Sequence, residues 1–214
     1  PKMTVSLLVE FLATYVECLV VLLTTVTASG QKFRPKVNAV MAMGLTLIPT
    51  LVVNQFNQWK VFSYITPLTT IAIVIFVTSK ILSNGPLLVR SISCILSMIF
   101  ILCIDYILII LFGHVTASAE DFFQVFVTSA GTHRTAFLII DKSIDVGLFL
   151  VLRKQLPRIS KLAHNFQVYL FLITVVSFVV MQCLFQIVLV PNLAIMQLAV
   201  VASWCFLIGA IIAC

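Results

Sequence analysis

Five acidic side chains, Glu10, Glu17, Asp105, Asp141 and Asp145, stand inside long apolar runs of this chain. An ionised carboxylate in such surroundings costs roughly 2.5–3.5 kcal/mol on insertion scales, and it persists where it has a partner or a task. Glu10 and Glu17 are two helical turns apart, so a helix puts them on one face. In Asp141-Lys142-Ser143-Ile144-Asp145 the two carboxylates are one turn apart, and Lys142 reaches Asp145 at a spacing of three. Charges so close together in the middle of a run demand a polar interior. They suit a network that pins neighbouring helices, a ligand contact or signal-transmitting element, or a path for ions or protons. An unpartnered lysine is untenable there, so at least one cross-helix ion pair is expected, with Glu17–Lys142 the preferred one.

Other residues with chemical capacity are less telling. His114 and His133 lie at one mouth of the runs and His164 at the other. None has a second His or a Cys at metal-ligand spacing, so no zinc or other metal site is expected. Arg134, beside His133, suits either an anionic ligand group or a lipid headgroup. The cysteines Cys18, Cys94, Cys103, Cys183, Cys205 and Cys214 all sit in apolar runs without Cys-x-x-Cys spacing and read as small packing residues. There is no Gly-rich phosphate loop and no Gly-x-Ser-x-Gly elbow, so no catalytic apparatus is legible and no cofactor is expected.

The elements that carry these residues follow from composition. Apolar residues make up 62% of the 214 and charged residues 9%, with a mean hydropathy of +1.20. A soluble domain carries about a quarter charged residues, so lipid is the expected solvent for most of the chain. In lipid each segment must satisfy its own backbone, and the runs are too long and too continuous for barrel strands. The expectation is an all-α, polytopic transmembrane helix bundle forming one domain over 1–214. Its seven spans are placed at about 4–28, 37–53, 62–82, 87–112, 132–152, 165–190 and 193–214, with Pro49 expected to kink the second.

The longest connection, Gly113 to Gly131, contains Phe122-Phe123-Gln124-Val125-Phe126-Val127, which is too short to span and reads as interfacial or re-entrant. A basic loop from Arg153 to Lys161 precedes the sixth run. Lys32, Arg34, Lys36, Lys80, Arg90, Arg153, Lys154, Arg158 and Lys161 fall on one side, and Lys2, Lys60 and Arg134 on the other. The positive-inside bias then puts the N-terminus outside, the C-terminus in the cytoplasm and the chain in a cell membrane as a multi-pass protein. The formal charge of +6 is mostly a topology signal, and nucleic acid is excluded as a partner because the basic residues are split among short loops.

The turn from Ser29 to Lys36 after the first helix, the stretch Val151-Leu152-Arg153-Lys154-Gln155-Leu156-Pro157-Arg158-Ile159-Ser160 and a last helix that enters the cytoplasm together resemble the membrane sensor region of bacterial accessory-gene-regulator-type histidine kinases, the peptide-pheromone receptors of the GHKL group. The resemblance covers the whole chain but is one of topology and texture, without a diagnostic motif. It implies a quorum-sensing receptor of two-component signal transduction. Such a receptor is a homodimer, detects an extracellular peptide and passes a helix movement to a cytoplasmic kinase. Neither a phospho-acceptor region nor ATP-binding motifs occur in these residues, so a kinase portion would lie beyond Cys214. Phe122, Phe123 and Phe126, with His133 and Arg134, are the expected ligand-binding residues at an outer mouth, because aromatic area there exceeds what a connector needs. Glu10, Glu17, Asp105, Asp141, Lys142 and Asp145 are the expected intramembrane polar network.

Two other classes compete. The substrate-binding membrane subunit of a vitamin-type transporter is a compact helical bundle of similar length, and Glu17, Asp105 and Lys142 would suit polar substrate capture. The odd span count, the lack of small-xxx-small helix faces in the first run and the apolar C-terminal end weigh against it. A pheromone-processing peptidase needs a paired His and Cys at the cytoplasmic side, and His164 has no Cys in its loop.

Overall fold

The computed structural model describes residues 2–30, 39–59, 65–115 and 132–187. Within them lie six α-helices and one 3-10 helix, and no strand. The helices are α1 (Lys2–Ala28), α2 (Ala39–Trp59), α3 (Ile65–Leu82), α4 (Leu87–Val115), α5 (Thr132–Leu152) and α6 (His164–Ile187), with the 3-10 helix at Leu156–Lys161. The all-helical expectation holds. Two stretches, Leu7–Ala28 in α1 and Leu87–Asp105 in α4, are long and apolar enough to cross a membrane.

Breakers set the helix ends. Gly30 closes α1 with φ 67, its N–H bonding the Thr27 carbonyl at 3.0 Å, a left-handed cap that glycine adopts without penalty. The Ser83-Asn84-Gly85-Pro86 turn separates α3 from α4. By contrast, α2 runs through Pro49 and past the boundary expected at 53, to Trp59. Asn54 to Trp59 is polar but holds neither Gly nor Pro, so nothing in it stops a helix. The stretch from Arg153, expected as a basic loop, is also corrected: from Leu156 it winds into the 3-10 helix with Pro157 at its start. Leu156 and Ile159 are one 3-10 turn apart and both are buried, while Arg153, Lys154, Arg158 and Lys161 stay exposed. The expected span at 193–214 and most of the Gly113–Gly131 connection lie outside the described residues.

Helices α1 and α4 form the centre. Helix α1 packs against α2, α3, α4, α5 and the 3-10 helix, and α4 against α1, α3, α5 and α6. Their meeting face carries Val21, Leu22, Val26, Val89, Ile92, Leu96 and Ile99, all buried. Hydroxyls tucked among them bond back to their own helix, Thr25 to the Val21 carbonyl at 2.7 Å and Ser93 to the Val89 carbonyl at 2.7 Å, so they bury at little cost. Hydrogen bonds also link helices: Tyr15 Oη donates to the Met43 carbonyl at 2.9 Å, and Cys94 Sγ to the Ala72 carbonyl at 3.5 Å. Cys18, Cys94 and Cys103 are buried thiols. The perimeter, conversely, is aliphatic, with Val40, Leu51, Ile73, Ile139, Val151 and Val176 each at least half exposed.

One end of the bundle is tied where three turns converge. Arg90 is 1% exposed. Its Nη2 donates to the Ser83 carbonyl (2.9 Å), Ser83 Oγ (3.2 Å) and the Gly85 carbonyl (3.1 Å), taking up acceptors that the end of α3 leaves over. Gln167 of α6 donates from Nε2 to the Leu162 carbonyl at 3.0 Å and to the Ile159 carbonyl at 3.4 Å, holding the 3-10 helix in place. Gly85 lies against Ser29, so closely that a Cβ at Gly85 would collide with Ser29 Cβ. Gly85→Ala is therefore expected to destabilise the bundle by about 1–3 kcal/mol, read as a lower melting temperature in detergent. Ser29→Gly added to it should recover most of the loss, because it removes the colliding carbon from the other side. A double variant as unstable as Gly85→Ala alone would refute the contact.

Candidate functional site: a lysine shared by four carboxylates

Helix α5 turns Asp141, Lys142 and Asp145 into the bundle, with 2%, 8% and 2% of their surfaces exposed. Its opposite side shows Ile139, Ile140, Ser143, Ile144 and Val146 to the exterior. The charged face meets α1 and α4, and there the Lys142 ammonium lies among four carboxylates. Nζ is 2.8 Å from Asp141 Oδ2, 3.1 Å from Asp145 Oδ2, 3.4 Å from Glu17 Oε2 and 3.5 Å from Asp105 Oδ1. Two of these acceptors belong to α5 itself; Glu17 comes from α1 and Asp105 from α4.

An ammonium has three N–H donors and no acceptor. Four carboxylates around it exceed what it can bond, and with all four ionised the group carries a formal charge of −3. Oδ1 of Asp141 and Oδ1 of Asp145 are buried without a hydrogen-bond partner. The inner pair of carboxylates is sealed, whereas the side chains of Glu17 and Asp105 keep 36% and 28% of their surface. The cluster is therefore deep on its α5 side and open along the α1–α4 edge. Asp105, Asp141 and Asp145 each bring a carboxylate oxygen within 4.8 Å of the other two, a set of hard donors unlike any zinc site of His and Cys.

A second pair lies further along the same seam. Arg134 Nε meets Glu10 Oε1 at 2.8 Å. Numbers rise together from Glu10–Arg134 to Glu17–Lys142, so α1 and α5 run parallel. Glu10 thus belongs to this outer rung and not to the lysine cluster, and the Arg134 guanidinium is engaged by Glu10. Phe122, Phe123 and Phe126 lie outside the described residues, as does the side chain of His133.

Sequence spacing pointed to Asp145 as a partner of Lys142 and to Glu17 across the bundle. It missed the Asp141 contact, because adjacent helical positions diverge by about 100° and meet here only through the long lysine stem bending back. It also missed the engagement of Arg90, whose signal was the turn of unsatisfied carbonyls just before it.

Beside Asp145 lies a cavity of about 40 Å³, walled mainly by Val20, Leu96, Phe100, Ile101 and Phe149, with Ser93 and Ser97 as polar patches. It has room for water and not for a vitamin-sized molecule.

The two rungs should differ sharply in energetic weight. Lys142→Met strands buried carboxylates and is expected to cost about 3–5 kcal/mol. Arg134→Met opens a partly exposed pair and should cost no more than about 1 kcal/mol. Thermal unfolding in one detergent measures both; comparable losses would mean that Lys142 is not the keystone of the cluster.

Comparison of the chain with protein-family models, with curated proteins and with solved structures finds no match.

Proposed function

We propose that this chain is the multi-pass membrane sensor region of a peptide-pheromone-type bacterial histidine kinase. In this reading it spans the membrane seven times, with the N-terminus outside and the C-terminus in the cytoplasm, and it detects an extracellular peptide. The observation that carries the reading is the shared ammonium of Lys142. Asp141 and Asp145 travel with Lys142 on α5, while Glu17 and Asp105 belong to other helices. Sliding α5 against α1 and α4 therefore exchanges cross-helix partners without ever leaving the ammonium alone in a low-dielectric interior. A junction with two affordable arrangements is what a helix-borne signal requires. The aliphatic perimeter supports lipid as the surrounding medium. The exposed Arg153, Lys154, Arg158 and Lys161 support a cytoplasmic assignment for the tied end.

Topology is tested by single cysteines on a Cys-depleted background. A thiol at position 57 should label from outside, and thiols at 154 and 158 only after permeabilisation; labelling of 154 in intact cells would sink the seven-span arrangement. Function is tested with the full-length protein and a transcriptional reporter driven by the secreted peptide fraction of the same cells. Alanine at Phe122, Phe123 and Phe126 together should abolish the response with membrane levels unchanged. Glu17→Gln, which removes one of the four carboxylates and leaves Lys142 in place, should preserve the membrane level and shift the response threshold. A reporter indifferent to the peptide fraction, in a protein that reaches the membrane, would exclude the peptide-sensor role.

A further inference from the structure

We propose that Asp105, Asp141 and Asp145 form a binding site for a hard divalent cation of the size of calcium, and that the Lys142 ammonium is a tethered competitor for that ion. The proposal is independent of peptide sensing: a chain that binds calcium at these residues does so whether or not it detects a peptide.

Three observations converge. The first is spacing. The three carboxylates each offer an oxygen, and all three oxygens lie within 4.8 Å of one another. Calcium–oxygen bonds run about 2.3–2.6 Å, so two oxygens up to about 4.8 Å apart can share one such ion across its diameter, and three can do so when they lie within about 4.5 Å of one another. Magnesium, at about 2.0–2.1 Å, needs them within about 4.2 Å and releases its water reluctantly.

The second is unmet demand. Oδ1 of Asp141 and Oδ1 of Asp145 have no hydrogen-bond partner, although both residues are 2% exposed. Each belongs to a carboxylate that already converges on the cluster. Buried acceptors of this kind are costly unless something supplies positive charge. Lys142 cannot do so alone, since one ammonium faces Glu17, Asp105, Asp141 and Asp145 together.

The third is access and room. Glu17 and Asp105 leave one edge of the cluster partly exposed. The cavity against Asp145, mostly apolar with Ser93 and Ser97 in its wall, has room for water beside that carboxylate. The flexible stem of Lys142 lets its ammonium withdraw as the ion enters, towards Glu17 on the open side.

The test uses the whole chain in lipid nanodiscs at constant ionic strength, with calcium, magnesium or sodium as the added cation. Calcium is expected to raise the melting temperature by about 5 °C at a concentration a hundredfold above its Kd, with magnesium and sodium much weaker. Asp141→Asn and Asp145→Asn should each abolish the shift, while Glu10→Gln, on the other ion pair, should leave it intact. Lys142→Gln provides the decisive arm. A purely structural cluster loses its cation and gains nothing from added metal. A competed site binds calcium roughly tenfold or more tightly once the ammonium is gone, and calcium then restores the melting temperature of this variant more than it raises that of the parent. If Lys142→Gln fails to fold in chelator, recovery of a monodisperse peak in calcium gives the same answer. No calcium-specific shift, an equal shift with sodium or magnesium, or a shift that survives Asp141→Asn overturns the proposal.

Discussion

A single positive charge organises the interior of this bundle. Lys142 enters a space bounded by α1, α4 and its own helix, and every carboxylate around it draws on that one ammonium for its compensation. The geometry is over-subscribed: one ammonium with three N–H donors faces four carboxylates. The helices are held together strongly by the aggregate and only loosely by any one contact in it.

The opposite design operates at the basic end. There the backbone does the binding, through Arg90 on the carbonyls of Ser83 and Gly85 and through Gln167 on those of Ile159 and Leu162. The donors meet backbone carbonyls at the ends of helices and turns, and glycines at 30 and 85 let neighbouring segments approach without a Cβ between them. Such contacts have one good geometry each. The tied end is thus held by contacts to backbone carbonyls, and the lysine cluster by side chains alone.

Much of the framework was legible in the residues. The bounds of α5 follow from the apolar run between Thr132 and Leu152, and the turns at Gly30 and Gly85 announced themselves through glycine and proline. The acids of the cluster were recognisable because a carboxylate has no cheap reason to stand in an apolar run. What stayed hidden was everything set by side-chain reach. Arg134 turned out to be engaged by Glu10, Asp141 joined the ammonium of its own neighbour, and Arg90 folded back onto the preceding turn. Polarity also misled at Asn54 to Trp59, where the helix continues through a stretch that lacks Gly and Pro.

The seam between α1 and α5 has a property that neither of its ion pairs has alone. Glu10 and Glu17 are about 10.5 Å apart along α1, while Arg134 and Lys142 are about 12 Å apart along α5, at 1.5 Å of rise per residue. The two scales run in the same direction with unequal divisions, as on a vernier. The outer rung closes at 2.8 Å and the inner one stands at 3.4 Å, as expected when both marks cannot align together. A shift of one residue's rise would bring the inner marks into line and part the outer ones. A displacement far smaller than a helical turn is then enough to change which rung is closed.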